Sequence, residues 1–525
     1  MNQHRISRRQ VMHLALAAAS AGVAGPLSAG QRPAQVNFIN DPFSLGVASG
    51  DPTPDGAVLW TRLAPLPLDA DGGMPPHPVE VSWEVATDDG FGRILRTGRT
   101  VARPESAHTV HVELIGLPAG RPLFYRFHCG SARSAVGRFA TAPAYGAPVD
   151  RLRLAWASCQ HYEQGFFTPY RDMVAQAPDL IIHTGDYIYE SSWGPQIRRQ
   201  NVPEPYTLQD YRRLHALYKL DPDLQAAHRA APWLFIWDDH EVDNDYAGNI
   251  GEEADVSVED FFRRRVAAYT AYFEHQPLRR RSAVTPEGTM RIWGQASFGD
   301  MASIFLTDGR QFRSPLACPT ATDRGGRLIP ASCAELADEA RSYLGARQER
   351  WLQRSFGQGP ANWNLLVQPT LLSPFRGSLS DGEPAIWSDG WDGYPAARER
   401  LTRVLARRDN ANPIVLGGDT HCYWVSDVKT DYRDEAARPV AAEFVTTSIS
   451  SRRGGYEQIS ALLPQNPHIR HFDNREHGYG LLDLHRDRAE VDLRVVETPR
   501  TRAGAGARSQ ARFVVEAGNP GVSAA

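Results

Sequence analysis

The chain reads as an α/β protein in which an N-terminal β-sandwich precedes a layered α/β domain. Three observations predict this. Between Phe43 and Thr141 the sequence is strand-rich and carries no clear helix. Beyond Arg151, apolar strand-like runs alternate with helical segments, the pattern of strands and helices stacked in layers. Six apolar runs of this second part end in charged or metal-ligating residues, and in an open α/β sheet ligands bind outside the carboxyl ends of the strands. The expected organisation is an export signal over residues 1–29, a β-sandwich over 38–145, an α/β catalytic domain over 150–500 and a variable tail over 501–525. The tail is rich in Ala, Gly and Arg and is expected to be poorly ordered at its end.

The N-terminal segment contains Ser7-Arg8-Arg9-Gln10-Val11-Met12, a twin-arginine motif, followed by an Ala-rich stretch from Val11 to Ala24. That stretch is too short to span a bilayer, and a small-residue cleavage site is expected near Ala29. The twin-arginine export machinery is therefore an expected partner, with a periplasmic or secreted destination. No later stretch approaches the length of an uninterrupted transmembrane helix, so no transmembrane anchor is expected.

Composition narrows the function. Hydrophobic residues make up 42% of the 525 and charged residues 22%, ordinary globular material that can bury large cores. The formal net charge is −4, and the export segment contributes three arginines and no acids. The remaining chain is thus more acidic still, which argues against a nucleic-acid binder. Five cysteines leave at least one unpaired. Cys318 and Cys333 flank a Gly-, Arg- and Pro-rich segment, where an oxidising compartment leaves a disulfide open.

In the sandwich region, Val79–Val85 and His108–Leu114 alternate apolar and polar residues, and Leu123–Phe127 is a third such run. Alternation of this kind marks half-buried strands, and the turn signals Asp89-Gly90 and Pro118-Ala119-Gly120 separate them. Pro143–Val149 reads as a linker. Beyond it, Phe166–Ala177, Val258–Phe273 and Arg341–Phe356 read as helices. Val202–Asp223 and Leu371–Gly393 read as excursions, the second rich enough in Ser, Asp, Gly and Trp to form a wall of a site.

The six runs are Leu152–Ser158 before Cys159, Leu180–Thr184 before Gly185 and Asp186, Leu234–Asp238 before Asp239-His240-Glu241, Ile304–Thr307 before Asp308 and Arg310, Trp363–Val367 before Gln368, and Ile414–Gly418 before Asp419 and His421. Asp186 has two carboxylate oxygens and can bridge two cations, while Tyr189 offers a hard phenolate. Charges as dense as Trp237–Asn244 are costly in a core unless paired or ligating, although a solvated loop also explains them. Asp239 is placed to bind a metal and His240 to hold or protonate a reacting oxygen. Gly417-Gly418 lets the backbone turn closely so that Asp419 and His421 point the same way. Cys159 alone reads first as a buried structural thiol, and among these partners it becomes a candidate thiolate ligand.

Six phrases together resemble the calcineurin-like metallophosphoesterases, and within them the PhoD-like alkaline phosphatases. They are Phe43–Leu63, Ser158–Tyr170, Gly185–Glu190, Trp237–Asn244, Asp308–Arg313 and Gly418–Trp424, in order across almost the whole chain. The resemblance implies a metallophosphoesterase domain of two β-sheets between helical layers, and an Fe3+ and Ca2+ cofactor. It implies that Cys159, Asp186, Tyr189 and His421 hold iron, that Asp186 bridges to calcium, and that Asp239 and Asp419 are further calcium ligands. Thiolate, phenolate and imidazole suit iron and carboxylates suit calcium. The implied activity is hydrolysis of phosphate esters by a metal-activated hydroxide; His240 is placed either to stabilise the transferring phosphoryl group or to protonate the leaving oxygen. Arg310 is either a bidentate contact to substrate phosphate or a structural ion pair. Phosphodiester or phospholipase D-type hydrolysis uses the same residues. A non-catalytic exported binding protein is the alternative from another class.

Overall fold

A computed structural model describes residues 38–380, 382–452, 454–503 and 506–525. The export signal lies outside the described residues. The chain divides into two compact units. The first gathers the chain up to Thr141 with Val202–Pro232 and Phe262–Arg291. The second holds Ala142–Asn201, Trp233–Phe261 and Ile292–Ala525.

The first unit has two antiparallel sheets. Val47–Thr53, Gly56–Arg62 and Thr109–Glu113 form one, and Val79–Ala86 flanked by Ile94–Ala102 and Pro122–Cys129 forms the other. Their apolar faces supply one core: Val47, Leu59, Val110 and Val112 from the first sheet, Val81, Val85, Tyr125 and Phe127 from the second. This is the sandwich expected from the alternation. Val202–Pro232 and Phe262–Arg291 fall within the 150–500 span that the sequence suggests for the α/β domain, yet they cluster here. The physical reason is Trp60. It is fully buried, packs with Leu45, Ala48, Ala64 and Ala216, and donates its indole N–H to the carbonyl of Glu274 at 2.8 Å. The helix Leu208–Lys219 that brings Ala216 starts with a reciprocal capping box between Thr207 and Asp210, which satisfies two otherwise unpaired N–H groups.

The second unit contains two large sheets. In one, the parallel strands Leu152–Ala157, Leu180–His183 and Trp233–Phe235 lie side by side. Antiparallel strands His477–Leu484, Arg488–Val496, Ala507–Glu516 and Asn519–Ala524 extend it beyond Leu152–Ala157. In the other, Ala302–Leu306, Trp363–Val367, Pro413–Gly417 and Pro439–Val445 are parallel. The six apolar runs therefore divide three and three between the sheets, all on parallel strands. Such strands are buried on both faces, so they read as continuous rather than alternating runs. Helices Gly345–Ser355 and Pro395–Leu405 cover the second sheet, packing Leu352, Phe356, Leu401 and Val404 onto Phe305, Leu366 and Val415.

The tail departs from expectation. Residues 507–516 and 519–524 are strands, not a poorly ordered end. Ala-, Gly- and Arg-rich composition obscures a short alternation in which Phe513 and Val515 are buried and their neighbours are not. Cys318 and Cys333 are joined by a disulfide.

Candidate metal centre

The strand ends converge because the backbone there adopts conformations that few sequences tolerate. Cys159 (φ 60°), Asp186 (57°), Asp419 (62°) and His421 (55°) all lie in the left-handed region. For non-glycine residues this stores roughly 1–3 kcal/mol of strain each, and it persists only where the surroundings over-determine it. Two glycines permit the approach. A Cβ on Gly185 (φ 117°) would sit 2.5 Å from Cβ of Asp238, and one on Gly418 would sit 2.5 Å from Oγ1 of Thr184 and 2.6 Å from Cβ of Ser158. Main-chain bonds tie the first loops together: Cys159 N–H donates to the carbonyl of Gly185 (3.2 Å) and Gln160 N–H to that of Asp186 (3.1 Å).

Among the described residues three groups of donor atoms result, each mutually within 4.8 Å: Cys159, Asp186 and His421; Asp186, Asp239 and His240; and Asp239, Asp245 and Asp389. Asp186 belongs to the first two and Asp239 to the last two, so the groups form a chain joined by shared carboxylates. Tyr189 stands at the first group, its hydroxyl 2.9 Å from Oδ2 of Asp186 and 2.9 Å from Nε2 of His421. Nδ1 of His421 lies 3.1 Å from the carbonyl of Arg452. A carbonyl only accepts, so Nδ1 carries the proton and Nε2 keeps its lone pair facing Tyr189. This is the usual arrangement of a ligating histidine.

The donor set fits a cation. Burial and the Asp186 charge push the Cys159 thiol well up, and burial with Asp186 and Cys159 does the same to the Tyr189 phenol. Burial, with Asp239, Asp238 and Glu241 nearby, raises Asp186 as well, despite the opposing pull of His240. Thiolate, phenolate and carboxylate cannot all ionise here without positive charge between them. Oδ1 of Asp186 is buried and has no hydrogen-bond partner, a costly state for an acceptor that a bound cation removes. The first group offers sulfur, phenol oxygen, carboxylate and imidazole. The third offers carboxylate oxygens alone, the donors that suit a hard divalent ion.

Other predicted residues take distinct places. Asp419 lines the same cavity as Asp186 and Asp239 and accepts the Thr370 hydroxyl at 2.5 Å. Burial and the charges of Asp239 and Asp389 lift its carboxyl to about 6. His240 contacts Oε2 of Glu190 through Nδ1 (2.7 Å) and packs against the Tyr189 ring with centroids 4.2 Å apart. Burial disfavours the imidazolium, but Glu190, Asp239 and Asp186 outweigh it and raise His240 well above its ordinary value.

The structure places Arg310 in a network of ion pairs. The guanidinium is fully buried. It contacts Asp238 through Nε, Asp389 through both terminal nitrogens (2.8 and 2.9 Å) and Asp239 at 3.4 Å. It is not among the residues that line the cavity. Its role is to fix carboxylates: burial raises Asp239, but Arg310 and His240 outweigh that and hold it below its usual range.

Sequence reading missed Asp245, Asp389 and Glu190. Asp245 follows the acidic phrase 238–244 directly, and Asp389 lies in the Leu371–Gly393 excursion read as a wall of the site. The Cys318–Cys333 disulfide closes the loop that presents Gly326, whose N–H donates to Oδ2 of Asp245 at 2.8 Å. Cys422 is buried with Trp424, Val445 and Phe472, and its thiol donates to the Thr420 carbonyl. The cavity over the three groups measures about 750 Å³, and Trp193, Phe375, Trp387, Trp391 and Trp424 supply its apolar walls.

Comparison with known proteins agrees with this geometry. Residues 154–493 match the PhoD-like phosphatase family and residues 29–143 its N-terminal domain. The chain is 42% identical to alkaline phosphatase D of Bacillus subtilis (strain 168) over 498 residues, covering 93% of this chain and 83% of that one. A solved structure of PhoD superposes with a TM-score of 0.87 at 40% identity, covering 93% of both chains. The fold, with its N-terminal domain, is thus shared along nearly the full length, and the chain belongs to the PhoD-like phosphatase family.

Proposed function

We propose that the chain is an alkaline phosphatase of the D type that hydrolyses phosphate esters at a metal cluster, exported by the twin-arginine route to the periplasm or the exterior. The observation that carries this reading is the sharing of Asp186 and Asp239 between successive donor groups. It is the geometry for holding cations side by side. Cys159, Asp186, Tyr189 and His421 would hold ferric iron, and Asp186, Asp239 and Asp419 calcium, with Asp245 and Asp389 completing an all-carboxylate place for a second calcium. When bound, these cations supply the positive charge that activates a water and offsets charge developing on the phosphoryl oxygens.

The remaining work falls to the chain itself. Glu190 fixes the His240 ring through Nδ1 and keeps it protonated, so Nε2–H is the donor available to the leaving oxygen. Thr370 holds one oxygen of Asp419 and leaves the other for ligation. Arg310 and Arg313, both bonded to Asp389, stop the carboxylate wall from splaying by charge repulsion. Among the described residues no helix is long and apolar enough to cross a membrane.

The aromatic walls favour a second substrate class, phosphodiesters whose second ester arm is apolar. Trp387 is 49% exposed at the cavity, and aromatic faces of this kind bury apolar substituents. Element analysis of the purified protein, with p-nitrophenyl phosphate and bis-p-nitrophenyl phosphate hydrolysis before and after chelation, tests both. Iron and calcium with chelator-sensitive turnover are expected; full activity in metal-free protein contradicts the proposal.

A further inference from the structure

The cavity is lined by seven aspartates and Glu252, and Arg452 is the one lining arginine or lysine among the described residues. A phosphate ester carries negative charge into that surround. The other nearby guanidinia are engaged: Arg310 and Arg313 are buried on Asp389. Arg452 differs. Its side chain is exposed at the cavity, and among the described residues no carboxylate forms an ion pair with it.

Its main chain, by contrast, is fixed on both sides. The N–H of Arg452 donates to Oε1 of Gln164 at 2.7 Å, and its carbonyl accepts from Nδ1 of His421 at 3.1 Å. Gln164 is buried, and its amide nitrogen also donates to the carbonyl of Trp193 at 2.8 Å. Trp193 in turn stacks parallel to the His421 ring, centroids 6.2 Å apart. One buried amide therefore ties the Arg452 and Trp193 loops together beside the same histidine. A rigid backbone with a free guanidinium is a pre-organised anion contact, because only the side chain has to order on binding.

We propose that Arg452 is a substrate-binding residue. Its guanidinium contacts non-bridging phosphoryl oxygens of the ester and of the phosphate product, with Gln164 positioning it. This deepens the phosphatase reading and rests on it. Guanidinium contacts to phosphate are charge-assisted and frequently bidentate, and an ammonium at the same place is a weaker, single-point substitute.

The test compares metal-loaded parent, Arg452→Gln and Arg452→Lys. For p-nitrophenyl phosphate, Arg452→Gln is expected to raise KM about tenfold or more, with a smaller change in kcat. The inhibition constant of inorganic phosphate is expected to rise by a similar factor. Arg452→Lys recovers part of both, and iron and calcium contents match the parent throughout. Calorimetric binding of inorganic phosphate reads the contact even where turnover is absent. KM and phosphate affinity within twofold of the parent overturn the inference. Loss of iron in Arg452→Gln also overturns it, since the residue would then act through His421. A metal-free, inactive parent is a failure of the phosphatase reading, whereas an active parent with an unaltered Arg452→Gln is a failure of this inference alone.

Discussion

The carboxylate of Glu241 accepts the main-chain N–H of Tyr187 at 2.6 Å. The same group accepts the N–H of Asp186 at 3.1 Å and of Asp238 at 2.9 Å. One buried side chain thus clamps the loop after the second parallel strand to the loop after the third. It sets the distance between Asp186 and Asp239, the two carboxylates shared among the donor groups.

Glu241→Gln keeps the size but turns an N–H donor toward amides that already donate. A buried group left unsatisfied costs roughly 1–3 kcal/mol, so the midpoint of thermal unfolding is expected to fall by several degrees and bound iron to drop. Calorimetry with metal analysis checks this; an unchanged melting temperature and full iron would show that the clamp is dispensable.

Arg310→Met removes the cation that Asp238, Asp239 and Asp389 share. Breaking a buried ion pair on one side costs about 3–5 kcal/mol. The expected signature is lower stability and weaker calcium retention. KM measured at saturating calcium on the correctly folded fraction stays near the parent value. A selective rise in KM with unaltered stability would place Arg310 at the substrate instead.

Away from the site, Asp172 predicts an acid limb of stability. Burial raises its pKa, but hydrogen bonds from Arg494 (2.6 Å) and Tyr479 (2.6 Å) outweigh that, so the folded value lies below the ordinary one. A depressed carboxylate contributes stability that is full above its unfolded value, about 3.9, and is lost as pH falls toward the lower folded value. Asp172→Asn is therefore expected to destabilise at neutral pH and to flatten the loss of stability below about pH 4. Denaturant unfolding at pH 7 and pH 3 measures it; equal destabilisation at both would remove the charge from the explanation.

Much of the site was legible because parallel strands leave continuous apolar runs, and each ends at the position where ligands gather. Cys159, Asp239 and Asp419 each follow such a run directly, and Asp186 and His421 lie two and three positions beyond one. Asp389 was hidden in an excursion where only the short strand Pro384–Trp387 precedes it, and it reaches Asp239 and Asp245 only through the fold. Arg310 carries the composition of a phosphate contact, and only the structure reveals that it is buried against Asp238 and Asp389. The strands at 507–516 and 519–524 escaped because Ala, Gly and Arg mask a short alternation, and strand formation there depends on pairing with Arg488–Val496. The attachment of Val202–Pro232 to the first unit likewise depends on the partner, Trp60, far away in sequence.

In the proposed site, Asp186 would be shared between an iron held with Cys159, Tyr189 and His421 and a calcium held with Asp239. Anomalous diffraction from crystals of the metal-loaded protein, recorded on both sides of the iron absorption edge, tests it most directly. An iron peak is expected among Cys159, Asp186, Tyr189 and His421, with a second site without an iron edge on the other oxygen of Asp186, toward Asp239. An iron peak among Asp239, Asp245 and Asp389, or none beside Cys159, would contradict it.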